Sequence, residues 1–422
     1  MFSAINRKVK RWVLRQQKHR PMVFISDTTV RDGAQMPGIR LDAEQKTAIV
    51  TALAKAGVHS IDLGFPAAGE HEVRAIRQAA HAVKGPVMSV LARTMIEDVD
   101  LAADVLSGLS PLKRGITLFI GTSPLHRRHK HDMTKAQIVR KAVEAIQHAQ
   151  SAFEIISFGA EDASRTEPEF LHEIYHEAIQ AGAISIGYTD TVGILTPTKA
   201  ADAVRRIQDN VACMDDALLA VHFHNDLGLA TANSLACVSA GANIVQGTIN
   251  GIGERAGNAA IEEVVLALTL NKDEYGKDVT VNPRALCALS QLVAKLTGIE
   301  PAVNKPVIGK NIFRTEAGIH QHGVLAEPAT YLPFPPETIG AESVQIVLGR
   351  NSGRAGVRHH VEATGSALNE EHVGLVLDYL KGNRHAADET PEVQAFLEKI
   401  RPFMTECESR PEKAAQNVGD TL

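Results

Sequence analysis

Eight short apolar runs rich in β-forming residues constrain this chain more than any other feature. They are Val23 to Asp27, Ser60 to Pro66, Val87 to Arg93, Gly115 to Gly121, Phe153 to Gly159, Ile184 to Asp190, Leu219 to Asp226 and Asn243 to Gly251. Segments of helical periodicity lie between them. Asp42 to Gly57 opens on an aspartate N-cap and stops at glycine, Thr134 to Gln150 carries Ile138, Val139, Val143 and Ile146, and Glu167 to Gly182 closes on glycine again. Strands that alternate with single helices pair in parallel through right-handed crossovers. Eight such units predict a (β/α)₈ barrel, with an open doubly wound sheet as the alternative.

At 422 residues and 44% hydrophobic content, the chain exceeds what one compact core usually holds. The expected organisation is a basic N-terminal extension over 1–21, a catalytic barrel over 22–270, a small mainly helical subdomain over 271–401 and a polar tail over 402–422. Helix-like segments at Ser366 to Lys381 and Pro391 to Ile400 support the third part. A net charge of −5 gives no reason to expect nucleic acid or an acidic membrane as partner. Cys213, Cys237, Cys287 and Cys407 lie far apart with no CxxC, so neither a disulfide framework nor a thiolate zinc site is expected. No apolar run approaches a membrane span.

Arg7, Lys8, Lys10, Arg11, Arg15, Lys18 and Arg20 make the first twenty residues basic with no acid among them. They lack the serines of a transit peptide and the apolar core of a signal peptide, so a basic, partly helical extension on a cytoplasmic protein is the expectation.

A barrel of this kind works at the C-terminal ends of its strands, and each strand exports polar residues there. The first gives Asp27 through Gln35, the second Asp62, the third Arg93. The fourth gives Gly121-Thr122-Ser123 and a basic cluster from His126 to His131; the fifth gives Glu161, Asp162, Ser164 and Arg165; the sixth gives Asp190-Thr191. The seventh gives His222 and His224, which project from one face because strand side chains alternate. The eighth gives Glu254, Arg255 and Asn258. A lone HxH is weak evidence for a metal; its company at one end of the barrel is what counts. One carboxylate, two imidazoles and a neutral oxygen donor suit Mg²⁺, Mn²⁺ or Zn²⁺ with open positions, and the absence of thiolate disfavours a closed structural zinc. Such a metal can chelate a 2-oxo acid through its carboxylate and ketone.

Three motifs carry a family resemblance: Asp27-Thr28-Thr29-Val30-Arg31-Asp32-Gly33, His222-Phe223-His224-Asn225-Asp226, and Gly251-Ile252-Gly253-Glu254-Arg255-Ala256-Gly257-Asn258. With Gly121-Thr122-Ser123, Glu161 to Thr166, Asp190 to Gly193, Glu316 to Gln321 and Leu348 to Arg354, the chain from about 22 to 360 resembles the metal-dependent acyl-CoA condensing barrels, the 2-isopropylmalate, homocitrate and citramalate synthases. The strand-eight turn is more similar to the isopropylmalate branch.

The resemblance implies a Claisen-type condensation of acetyl-CoA with a 2-oxo acid, then hydrolysis of the thioester to a 2-substituted malate and CoA. The first expectation is 2-oxoisovalerate and leucine biosynthesis; homocitrate, citramalate or a specialised alkylmalate is the alternative. It implies Asp32, His222 and His224 as metal ligands with Asn258 completing or supporting the site, and Mg²⁺ or Mn²⁺, or Zn²⁺, as the metal. It makes Arg31 the partner of the developing alkoxide and Asp27 structural. Thr191 binds the 2-oxo acid, with Gln35 and Arg165 also at the substrate, and Glu161 lines the pocket. His320, with Tyr331, does acid/base work in the active site of a partner subunit, so a homodimer with shared sites follows. Arg127, Arg128 and Lys130 are the basic group available to CoA phosphates.

Four positions depart from the isopropylmalate pattern. Thr117 stands where histidine is usual, Gly187 where asparagine is, Gly159 where serine is, and Asp62 where a glutamate holds the arginine. They shape the 2-oxo acid pocket, so a polar or bulkier substrate is open. Beyond Arg354 the chain runs only to Leu422, too short for a leucine-binding regulatory domain, and no feedback by leucine is expected. An aldol lyase on the same barrel is the competing class; hydroxymethylglutaryl-CoA lyases, however, carry a cysteine in the strand-eight turn, and Gly253-Glu254-Arg255 has none. A non-catalytic barrel is disfavoured while the metal set is intact.

Overall fold

A computed structural model describes residues 22–383 and 390–405. The basic N-terminal stretch, most of the polar tail and Cys407 lie outside the described residues. Eight parallel strands close on themselves: β1 (Met22–Asp27), β2 (Ser60–Asp62), β3 (Val87–Arg93), β4 (Arg114–Gly121), β5 (Ile155–Glu161), β6 (Ser185–Asp190), β7 (Leu218–Phe223) and β8 (Ile244–Gly247). Each pairs with the next, and β1 pairs with both β2 and β8, which closes the barrel and removes the open-sheet alternative.

The helices form where caps and periodicity dictate. Ala43–Ala56 begins with a reciprocal capping box between Asp42 and Gln45, Lys135–Ala149 with one between Thr134 and Gln137. Gly57 ends the first of these at φ 88°, a left-handed conformation that costs glycine nothing. Several strands stop earlier than the apolar runs do. The run through Pro66 ends as a strand at Asp62, and the run through Asp226 ends at Phe223, with His224 making only an isolated bridge to Asn258. The extra residues are turns that leave the ladder to build the mouth.

Each strand has two unlike faces. Ile25, Ile61, Ile116, Leu118, Ile156 and Leu219 are at most 1% exposed and pack outward under the helices; burying each such side chain is worth about 1.5–3 kcal/mol. The alternate residues point to the barrel axis; Ser26, Ser89, Thr117, Ser157, Gly187 and Ala220 among them are small or polar, while Phe24, Leu91 and Phe119 are bulky.

The chain divides into two compact units between Pro301 and Ala302, later than the expected break at 271. The intervening residues join the first unit for a physical reason. Asp278–Val279 pairs with β1 as a ninth strand (β9), Asn282 N donates to Ala56 O, and the helix Leu286–Thr297 buries Leu286, Leu289 and Val293, with Ser290 O accepting from Asn250 Nδ2 at 3.1 Å. The second unit is mainly helical, with a small parallel pair of strands, β10 (Arg314–Thr315) and β11 (Gln345–Ile346). Its core gathers Leu348, Val357, Val376, Val393, Phe396 and Ile400. No helix among the described residues is long and apolar enough to cross a membrane.

Candidate active site

The turn after β1 is held before it can bind anything. Asp27 accepts from Thr29 N and Thr29 Oγ1, both at 2.8 Å, while Thr29 Oγ1 accepts from Ile249 N and Thr28 Oγ1 donates to Gly247 O. These bonds lock the β1 turn to the end of β8. Asp27 is fully buried, and burial pushes its carboxyl up to about 7. It is therefore a scaffold residue that faces no opening.

Asp32, five positions later, faces the mouth. Its Oδ1 accepts from Asn258 Nδ2 at 2.8 Å, its Oδ2 from Arg31 Nη1 at 2.6 Å, and His222 Nε2 lies 3.7 Å from Oδ2. One ligand atom from each of Asp32, His222 and His224 lies within 4.8 Å of the others, and all three residues are buried. Burial opposes charge on Asp32, but Arg31, the two imidazoles and the Asn258 amide outweigh it and hold the carboxyl well below its usual range. Burial pushes His222 down to about 3 and lowers His224 as well. An ionised carboxylate beside two neutral imidazoles is the protonation state that a divalent cation requires. Asn258 Oδ1, buried and without a hydrogen-bond partner among the described residues, adds a free oxygen at the same place. The residues thus fit a hard or borderline metal.

Glycine permits this approach at Gly253, where φ is 152° and a β-carbon would stand 2.1 Å from Asn258 Nδ2 and 3.1 Å from Asp32 Oδ1. Arg31 spans the group, with Nε 2.8 Å from Asp62 Oδ2 and Nη1 on Asp32. Burial alone would lower its pKa; Asp62 and Asp32 more than offset that. The aspartate at position 62 thus holds Arg31 directly.

Below the metal group opens a cavity of about 610 Å³, lined at its mouth by Arg31, Asp32, Gln35, Glu161, Thr191 and both histidines. Thr191 Oγ1 accepts from Asp162 N at 2.8 Å. Glu161 is held by Lys130 at 2.6 and 2.7 Å with His126 Nδ1 3.5 Å away; burial works against its charge, and the contacts from His126 and Lys130 prevail, lowering its pKa. Arg165 is not brought to this cavity. Its guanidinium is occupied by Asp162, at 2.8 and 3.0 Å from Nε, a local pairing that the three-residue spacing already signals.

The basic cluster after β4 is also largely engaged. Arg127 forms a bidentate pair with Glu167 at 2.8 and 2.9 Å, and Lys130 is on Glu161, leaving Arg128 exposed. Lys130 reaches the cavity because Arg127–His131 winds as a π-helical turn, a local irregularity common at functional sites. Sequence reading placed Lys130 and Arg255 at the mouth but missed their partners, Glu161 for Lys130 and Asp226 with Thr191 O for Arg255. Arg255 adopts φ 55° and binds Asp226 at 2.8 and 3.0 Å and Thr191 O at 2.6 Å. The motif around Arg255 was visible; its strained backbone was not.

His320 and Tyr331 belong to the second unit. His320 sits on the helix Gly318–Ala326, its ring 4.2 Å from that of Tyr331 and tilted by 35°, and both residues are exposed.

Residues 22–293 match the HMGL-like family, and residues 307–389 match the homocitrate synthase post-HMGL domain-like family. The 2-isopropylmalate synthase of Pyrococcus abyssi is 44% identical over 83% of this chain and 72% of that enzyme. That of Geobacillus sp. strain WCH70 is 44% identical over 83% of this chain and 68% of that enzyme. Among solved structures, hydroxymethylglutaryl-CoA lyase from Pseudomonas aeruginosa superposes with TM-score 0.57 at 19% identity, covering 67% of this chain and 95% of that one; the likeness is one of fold. The barrel, the second unit and the identity across most of the chain together place it in the 2-isopropylmalate synthase family of HMGL-like enzymes.

Proposed function

We propose that this enzyme condenses acetyl-CoA with a 2-oxo acid and releases a 2-substituted malate and CoA, the 2-isopropylmalate synthase type of reaction. The observation that carries the reading is the buried Asp32, His222 and His224 group with Arg31 bridging Asp32 and Asp62 at the mouth of a deep cavity. Asp32, His222 and His224 would hold the divalent cation, Mg²⁺ or Mn²⁺ with Zn²⁺ as the alternative, through a mixed nitrogen and oxygen donor set that Asn258 Oδ1 supports. When bound, such a cation supplies Lewis-acid polarisation of a carbonyl.

The chain's own residues supply the rest. Thr191 and Gln35 orient the carboxylate of the 2-oxo acid, with Glu161 fixing the pocket wall beside them. A proton leaves the acetyl methyl group and the carbanion attacks C2. The guanidinium of Arg31 stabilises the oxygen that becomes an alkoxide and then takes a proton. Water cleaves the thioester, giving the second carboxylate and the CoA thiol. His320, steadied by Tyr331, serves as acid/base group. In this reading the enzyme is a cytoplasmic homodimer, and the exposed His320–Tyr331 pair of one subunit serves the barrel of the other.

The test is release of CoA thiol from acetyl-CoA with Mg²⁺ or Mn²⁺, dependent on a 2-oxo acid and lost in His222→Ala. Thiol release that ignores the 2-oxo acid would sink the reading. Mixing His222→Ala with His320→Ala chains tests the shared site, because each inactive protein then supplies what the other lacks.

A further inference from the structure

The cavity does not end beneath the metal group. It continues down the axis to the opposite end of the barrel, where Phe24, Val87, Ile155, Leu218 and Ile244 line it. In barrels of this class the interior is ordinarily filled by layers of bulky branched side chains. Here the wall is bare over three adjacent strands: Gly159 on β5 is in register with Gly187 on β6, and Gly187 with Ala220 on β7. One level lower, Thr117, Ser157 and Ser185 are in register across β4, β5 and β6, offering only short hydroxyl side chains.

Volume and charge both restrict what can fill this space. An isopropyl group occupies about three water-sized positions, or roughly 100 Å³ at about 30 Å³ each, which leaves most of the 610 Å³ empty. The charged lining residues, Arg31, Asp32, Lys130, Glu161, Glu254 and Arg255, all sit at the C-terminal mouth. Below them, among the described residues that line the cavity, no Lys or Arg awaits a second carboxylate. The titratable group at depth is His59, which binds Ile25 N and Thr280 Oγ1 and is kept neutral by burial.

We propose that the 2-oxo acid accepted here carries a long or ring-bearing uncharged side chain that runs down the barrel axis over Gly159 and Gly187, in preference to a short branched or a carboxylate-bearing one. The proposal rests on the 2-oxo acid reading of the site and names the substrate class. Gly159 and Gly187 become specificity-determining positions, since side chains there would occupy the channel. A β-carbon at Gly187 would stand 3.5 Å from Gly159 Cα and 3.8 Å from Phe158 O, ordinary contacts, so a larger residue there shortens the channel without displacing backbone.

The experiment measures two quantities on the full chain with Mg²⁺: CoA release with acetyl-CoA, and calorimetric affinity for the 2-oxo acid alone. The probes are 2-oxoisovalerate, 2-oxoglutarate, 2-oxooctanoate and phenylpyruvate, each with native protein and Gly187→Leu. The expected result is kcat/KM and affinity at least about tenfold higher for the octanoate or phenyl compound than for 2-oxoisovalerate, with Gly187→Leu reversing that order, a size of effect that pocket contacts commonly produce. Preference for 2-oxoisovalerate or 2-oxoglutarate in the native protein, or a preference for the long acids that Gly187→Leu leaves unchanged, overturns the inference while leaving the condensation intact. Selective binding of the long acids without CoA release overturns the condensation instead, and upholds the substrate class. Absence of binding by all four overturns both.

Discussion

The two faces of the same barrel strands obey different rules. Outward residues such as Ile116, Leu118 and Ile156 are at most 1% exposed and interlock with helices. Their inward neighbours Thr117, Phe119 and Ser157 line a channel. Stability is therefore concentrated on one side of each strand, and the other side is left for chemistry. The mouth is the region where the two requirements meet, because Asp27 and Asp32 stand on one turn with opposite fates.

The largest effect separating the faces is expected at His222, an inward residue. Replacing it with alanine removes one imidazole from the metal group, and the Lewis-acid contribution at stake is several kcal/mol. CoA release should fall by about three powers of ten or more, with the melting curve of the metal-free protein little changed. Equal loss of fold and activity would break the division. Leu219→Ala, three residues away and facing outward with 0% exposure, should do the reverse. It costs about 2–5 kcal/mol of stability in denaturant titration, while CoA release per folded molecule stays near the native rate.

The division was only partly legible in the sequence. The outward face announces itself, because alternating Ile, Leu and Val at eight spaced runs has few other solutions. The two histidines were legible in the HxH spacing, whereas Asp32 was singled out only through the family resemblance, and the structure brings the three together. What depends on distant partners was not legible. The engagement of Lys130 with Glu161, 31 residues apart, follows from one π-helical turn. Gly159 and Gly187 stood out as departures in sequence, but only strand register places them side by side. The later unit boundary also has this origin: Asp278–Val279 is too short to read as a strand until β1 is there to receive it.

Asp27 offers the next test, by pH. Its folded value of about 7 lies above the ordinary 3.8. Between those values the folded chain keeps a proton that the unfolded chain has released. Stability should therefore fall as pH rises from about 4 to about 7 and level off above, with a share of up to about 4 kcal/mol from this one group. Asp27→Asn should flatten that part of the profile measured by urea unfolding. An unchanged profile would mean that the carboxylate is ionised in its pocket and that Thr29 outweighs burial.

The smallest effect is the most exact comparison, because it uses adjacent residues. Ile156 faces outward at 1% exposure and Ser157 faces the channel, its Oγ 2.6 Å from Ser185 Oγ. Removing the serine hydroxyl deletes one hydrogen bond, worth about 0.5–1.5 kcal/mol, but the channel beside it has room for water to serve Ser185 instead. Ser157→Ala should therefore cost under about 1 kcal/mol, against about 2–5 kcal/mol for Ile156→Ala. Both would be read from urea midpoints at constant slope. A serine cost equal to the isoleucine cost would mean that the inner layer is packed as tightly as the outer one, which a channel of this volume does not allow.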